Sequence, residues 1–211
     1  MFTGLVREFA EVKALQNNIL TLKAKYKPQI GDSICVNGAC LTTIKLLKDG
    51  FSLEISEESQ SHLALENYQN FVHIEPALRL TDRLDGHLLQ GHIDALGVIT
   101  QINPHPIGTD FFIQTNFETL EFCSPKGSIA LDGVSLTINE VFTDSLRLTL
   151  IPHTLKNTLF KNYKVGRRVN IETDMFAKMI VHFLKNTQNN KQNPKTLPQS
   201  WREIDAILGS Y

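Results

Sequence analysis

The strongest constraint on this chain is that it repeats itself. "SICVNGACLTT" begins at Ser33 and "SIALDGVSLTI" at Ser128, an offset of 95 residues. In that frame Ile34 pairs with Ile129, Gly38 with Gly133, Cys40 with Ser135, Leu41 with Leu136 and Thr42 with Thr137. "EES" (Glu57–Ser59) meets "PHT" (Pro152–Thr154) at the same offset. An earlier match, "GLVREFAEV" from Gly4 against "GHIDALGVI" from Gly91, runs at an offset of 87. A constant offset on both sides of one step is what a duplicated unit with one insertion produces. The step is 95 − 87 = 8 residues, and "NPHPIGTD" (Asn103–Asp110) is the expected insertion, because Pro and Gly mark a surface loop. Two homologous domains follow, expected at 1–87 and 88–174, with 175–211 as a separate tail.

Each copy reads as β. "NNILTLKAKY", "DSICVNG", "FSLEIS" and "SLRLTLI" are short runs with period-2 alternation and many β-branched residues. Asn37-Gly38 and Asp132-Gly133 suit hairpin turns that need positive φ. Short strands with turns between them predict an all-β chain of small closed barrels or sandwiches. The tail differs. Asp174 can cap a helix over "MFAKMIVHFLKN", where Phe176, Met179, Ile180, Phe183 and Leu184 fall on one face. "NTQNNKQNPKTL" reads as a linker, and a capping box from Ser200 to Glu203 predicts a short terminal helix.

Composition excludes several function classes. A net charge of −1 with scattered Lys and Arg argues against nucleic acid, which draws most of its affinity from a basic surface. No apolar run approaches the ~18 residues of a membrane helix, and "MFTGLV" is not a secretory signal. A cytoplasmic protein is expected. Cys35, Cys40 and Cys123 are odd in number and carry no C-x-x-C pair, so neither a disulfide framework nor a structural zinc site is expected. No glycine-rich phosphate loop is present, so no nucleotide cofactor is expected.

Two positions apart on a strand, Cys40 and Thr42 share a face, as do Ser135 and Thr137; Leu41 and Leu136 point to the other side. The polar face either meets water or lines a pocket. A thiol suits a solvent face poorly and recurs as a hydroxyl, which favours one lined pocket per domain. "GHLLQGH" (Gly86–His92) brings His87 and His92 to the domain junction. Imidazole suits proton transfer near neutrality, but the spacing is not that of a metal-binding helix, and no metal site is expected.

"MFTG", "NGACLT", "GHLLQGHID", "KGSIALDGVSLTINEV", "LIPHTL" and "VNIETD" occur in the order found in one family. By them the sequence resembles the riboflavin synthase α chain, across about residues 1–185. The resemblance implies two six-stranded Greek-key barrels in tandem, then a C-terminal helix that helps to assemble a homotrimer. It implies a transferase that dismutates two molecules of 6,7-dimethyl-8-ribityllumazine by four-carbon transfer, giving riboflavin and 5-amino-6-ribitylaminouracil. No metal or organic cofactor is implied; lumazine synthase is a candidate partner. Two identical reactants explain two similar pockets, since holding them together can be worth ~7–11 kcal/mol. The implied productive pair joins the N-terminal barrel of one subunit to the C-terminal barrel of a neighbour.

Carried over by resemblance, the N-terminal barrel contacts the ligand through Gly4, Leu5, Val6, Cys40, Leu41, Thr42, Glu54, Ile55, Ser56, Glu57, Glu58 and Ser59. The C-terminal barrel uses Gly91, His92, Ile93, Lys126, Ser135, Leu136, Thr137, Leu150, Ile151, Pro152, His153, Thr154 and Leu155. The chemistry removes a proton from the C7 methyl of one lumazine and activates C7 of the other. His92, Ser135 and Thr137 are expected to move the proton; Cys40 and Ser135 to orient water or activate C7. Asp174 serves either the site across a subunit interface or only as a helix cap. Phe2 sits near the ligand or in the core. "SEES" at Ser56–Ser59 and His153 depart from the family's usual "PET" pattern, which leaves open the group that meets the ribityl chain. The alternative is a lumazine protein of the same fold that binds without turnover.

Overall fold

The computed structural model describes residues 1–192. Strands β1 (Glu8–Gln16), β2 (Ile19–Lys23), β3 (Ser33–Val36), β4 (Ala39–Leu47), β5 (Gly50–Glu54) and β6 (Phe71–Pro76) close one barrel in the order β1-β2-β5-β4-β3-β6. Strands β7 (Ala95–His105), β8 (Gly108–Gln114), β9 (Ser128–Leu131), β10 (Val134–Val141), β11 (Ser145–Leu150) and β12 (Arg168–Thr173) close a second in the equivalent order. The hairpin run β3-β4-β5 with β2 returning beside β5 is a Greek key. The repeat and the all-β reading therefore hold.

Alternation sets the two cores. Ala39, Leu41 and their neighbours on β3 and β5 fill the first barrel, and Val134, Leu136 and Ile138 fill the second. The Asn37-Gly38 and Asp132-Gly133 turns have positive φ at both positions, as two-residue turns matching strand twist require. The eight extra residues do not lie in one place. The register offset is 112 − 21 = 91 across the first hairpins, where Ala14 faces Thr21 and Gln101 faces Phe112. It reaches 128 − 33 = 95 only at β9. Half lengthens the β7–β8 hairpin at Asn103–Asp110; the other half precedes β9, where helix α2 (Phe117–Leu120) has formed.

The barrels meet through their turns under a pseudo-two-fold relation. Gly38 packs so tightly on Gly133 that a Cβ there would lie 2.9 Å from the Gly133 nitrogen. Asn37 Oδ1 accepts the His73 amide, and Asp132 Oδ1 accepts the Asn170 amide, each at 2.8 Å. Each barrel then reaches across: Asn170 Nδ2 donates to the Asn37 carbonyl (2.8 Å), and His73 Nδ1 lies 3.0 Å from the Asp132 carbonyl. Nε2 of His73 accepts the Leu159 amide at 2.7 Å, so the ring is held neutral with its proton on Nδ1.

Burial holds the His73 imidazole down at about 4, against an ordinary 6.5. As pH falls through that window the unfolded chain binds a proton that the folded chain refuses. The stability His73 contributes near neutrality, about 3 kcal/mol, is lost there. Urea unfolding should show that wild type loses more stability between pH 7 and pH 4.5 than His73→Asn, which copies Asn170. An equal loss in both would remove His73 from the account.

Helix α4 (Met175–Gln192) follows β12. Asp174 Oδ1 accepts the amides of Phe176 (2.8 Å) and Ala177 (3.2 Å), so the capping role is present. Lys178 pairs with Asp94 and Lys185 with Glu121, which ties the helix to the second barrel. Phe176, Met179, Ile180, Phe183 and Leu184 remain 53–69 % exposed. The expected terminal helix at Ser200–Gly209 lies outside the described residues. Among the described residues no helix is long and apolar enough to cross a membrane.

Candidate functional site: two strands with exchanged backbone

Each barrel presents one hairpin strand, β4 or β10, whose outer face begins with a small nucleophile. Neither strand is completed by its own barrel's neighbouring segment. The Cys40 amide donates to the Gly91 carbonyl, and the Ser135 amide donates to the Gly4 carbonyl, both at 2.8 Å. Residues ahead of β7 thus dock on the first barrel, and residues ahead of β1 dock on the second. Side chains follow: Ile93 packs on the first core and Val6 on the second. This reverses the expected placement, in which Gly4, Leu5 and Val6 served the first barrel and Gly91, His92 and Ile93 the second. The two segments cross beside one another through the antiparallel bridge of Phe2 with Leu89. Phe2 is buried there with Cys35, Leu89 and Ala130, in the core rather than in an open pocket.

Glycine is required at both crossings. A Cβ on Gly91 would lie 2.6 Å from Cys40 Cβ, and one on Gly4 would lie 2.5 Å from Ser135 Cβ; both φ values are positive. Gly91→Ala should therefore push the segment off β4 and disrupt small-ligand binding at the first barrel's cavity, as a fluorescence titration would show; undiminished binding would contradict the close approach.

Two buried carboxylates hold the exchanged segments. Glu75 accepts from the Thr3 amide (2.7 Å), the Thr3 hydroxyl (2.6 Å) and the Gly4 amide (3.0 Å). Glu172 accepts from the amides of Gln90 (2.6 Å) and Gly91 (2.9 Å). Burial raises both. It pushes Glu172 up to about 7, with the two amides and Lys178 opposing and Asp94 adding. For Glu75 the Thr3 and Gly4 donors and Arg7 oppose the rise. Sequence reasoning missed this pair, although Ile74-Glu75 and Ile171-Glu172 repeat at an offset of 97.

The first pocket is a cavity of about 550 Å³ lined by Cys40, Ser56, Ser59, His62, His92 and Ile93, among others. That is within the range of small-ligand sites. Ser56 caps helix α1 (Glu57–His62), its hydroxyl accepting the Ser59 amide at 3.1 Å. Of the expected contacts here, Leu41 and Ile55 are buried in the barrel core, and Thr42, Glu54 and Glu57 are exposed. The Glu58 side chain lies outside the described residues. His62 was not singled out from sequence; only its place one turn beyond Ser59 signals it.

On the second barrel, His87 Nδ1 lies 2.7 Å from Ser135 Oγ. His92, the sequence candidate, instead lines the Cys40 cavity within the chain. Burial lowers the His87 imidazole and Asp174 opposes it, so the ring is neutral near pH 7. Its Nε2 is buried without a hydrogen-bond partner among the described residues. Thr137 and Lys126 are exposed nearby in sequence, and Lys126 has φ of 68°. Leu136 and Leu150 belong to the core, and Thr154 and Leu155 are half-buried on helix α3 (Pro152–Lys156). Ile151, Pro152 and His153 are exposed, and His153 Nε2 sits 3.2 Å from Asn157 Nδ2.

Tandem barrels that present the same hairpin strand, one of them beside a ligand-sized cavity, define a protein built from two like units for small-ligand binding. The lumazine binding domain family matches residues 3–77 and 90–174, and the chain belongs to that family. It is 33% identical to riboflavin synthase of Photobacterium leiognathi over 88% of this chain and 89% of that protein. It is 33% identical to riboflavin synthase of Actinobacillus pleuropneumoniae over 98% of both, and 32% identical to that of Bacillus subtilis over 90% and 93%. In fold it resembles LumP in complex with riboflavin, with a TM-score of 0.72 at 19% identity over 82% of this chain and 99% of that one.

Proposed function

We infer that this chain has riboflavin synthase activity, a transferase reaction in which two 6,7-dimethyl-8-ribityllumazine molecules give riboflavin and 5-amino-6-ribitylaminouracil. The observation that carries this reading is the duplicated barrel with its repeated hairpin strand, matched over nearly the whole chain by riboflavin synthases at about one-third identity. The two strands share a frame but differ at the reacting position, Cys40 against Ser135. Identical reactants taking different parts call for that difference.

In the second barrel, Ser135 Oγ takes a proton from the C7 methyl while its own proton passes to His87 Nδ1. The short Ser135–His87 contact and the neutral ring support this. In the first barrel, Cys40 and His92 flank the cavity where C7 of the other lumazine is activated toward addition. Main-chain groups of Gly4–Val6 and Gly91–Ile93 present edges for the pyrimidine ring. A homotrimer brings the two unlike barrels of neighbouring subunits together through the apolar face of α4; the working compartment is the cytoplasm, and lumazine synthase is the natural supplier of substrate. Purified protein given the lumazine alone should form riboflavin, with two lumazines consumed for each. Stable lumazine fluorescence with no riboflavin absorbance would overturn the reading in favour of a binding protein.

A further inference from the structure

We propose that Cys35 and Cys40 form a reversible disulfide when a peroxide reaches the first pocket, and that this modification site exists in the first barrel alone. The two residues are direct partners across β3 and β4. The Cys40 amide is given to Gly91 and not to β3, so the pair is a non-hydrogen-bonded one. Such pairs bring Cα atoms to ~4.5 Å and Cβ atoms to the short end of ~4.5–5.5 Å, close to what a disulfide needs.

Side-chain direction agrees. Ile34, Val36, Ala39 and Leu41 fill the barrel core, so Cys35 and Cys40 between them both point outward on one face. Cys40 borders the cavity and is partly exposed; Cys35 is buried behind it with Phe2, Leu89 and Ala130. An oxidant therefore meets Cys40 first, and Cys35 is the resolving thiol. In the second barrel the same register pairs Ser135 with Ala130, and no such bond can form.

The chemistry balances with a peroxide as the named oxidant. The Cys40 sulfur attacks a peroxide oxygen; an S–O bond forms, the O–O bond breaks, and one water leaves. The Cys35 sulfur then attacks the Cys40 sulfur; the S–S bond forms, the S–O bond breaks, and a second water leaves with the Cys35 proton. Two thiols lose two electrons and the peroxide gains them. The bond draws the Cys40 sulfur toward Cys35 and out of the cavity, so the first pocket loses its thiol. The effect on turnover rests on that pocket's being a lumazine site; the bond itself does not.

Treat the full-length protein with hydrogen peroxide, unfold it in denaturant, alkylate and digest with trypsin. Cys35 and Cys40 fall in one peptide ending at Lys45, so the bond appears as loss of two hydrogens with neither thiol alkylated. Dithiothreitol should restore both thiols and the riboflavin-forming activity. Cys35→Ala, which copies Ala130, should keep basal activity, yet peroxide should inactivate it irreversibly as Cys40 passes to the sulfinic acid. Cys35 still alkylated in inactivated wild type, or equal recovery of Cys35→Ala with dithiothreitol, would overturn the proposal. The peptide mapping needs no turnover, so it decides the disulfide even if the catalytic reading fails.

Discussion

His87→Ala should lower kcat roughly 10²–10⁴-fold, the usual loss when a positioned proton-transfer group is removed. Lumazine affinity should change far less, because the buried ring is held against Ser135. Ser135→Ala should cost about as much, and the double variant little more, since the two act as one unit. Burial keeps His87 neutral at pH 7, so the acid limb of the kcat profile belongs below the ordinary 6.5 and should vanish in the variant. Replacing His92 instead should affect the first pocket, where His92 lies beside Cys40. Unchanged single-turnover rates in His87→Ala would remove the Ser135–His87 pair from the chemistry.

The second large effect concerns assembly. Five large apolar side chains on one face of α4 are more than half exposed in the chain on its own. A contiguous apolar stripe of that kind marks an interface. The triple change Phe176→Glu, Ile180→Glu and Phe183→Glu should give monomers by sedimentation, since unpaired charges buried in an interface cost several kcal/mol each. The barrels should remain folded, because α4 contributes only its inner side and two ion pairs to them. Activity should fall to near zero even with both barrels intact within each chain. Full activity in a monomer would contradict a site shared between subunits.

Much of this architecture could be read from the residues. The repeat predicted two like domains because Gly38, Leu41 and Thr42 recur at a fixed distance with the residue types that a hairpin demands. Period-2 alternation put Leu41 and Leu136 inside, and both are in the cores. The exchange of Gly4 and Gly91 between barrels was not legible. Alignment pairs those glycines with each other but does not say which strand each one completes; that depends on the crossing of Phe2 with Leu89 and on the buried carboxylates. His87 was passed over because a histidine's role depends on what lies opposite, and Ser135 is 48 residues away. The split insertion was hidden too, since four extra residues in a hairpin and four before β9 give the same total step as eight in one loop.

The proposed function requires a lumazine site in each barrel of the chain, the two of unlike chemistry. Equilibrium titration with an unreactive lumazine analogue tests it most directly, with bound ligand counted per chain. Two molecules per chain are expected, falling to one in Gly91→Ala and to one in Gly4→Ala. A single site in the wild-type protein would contradict it.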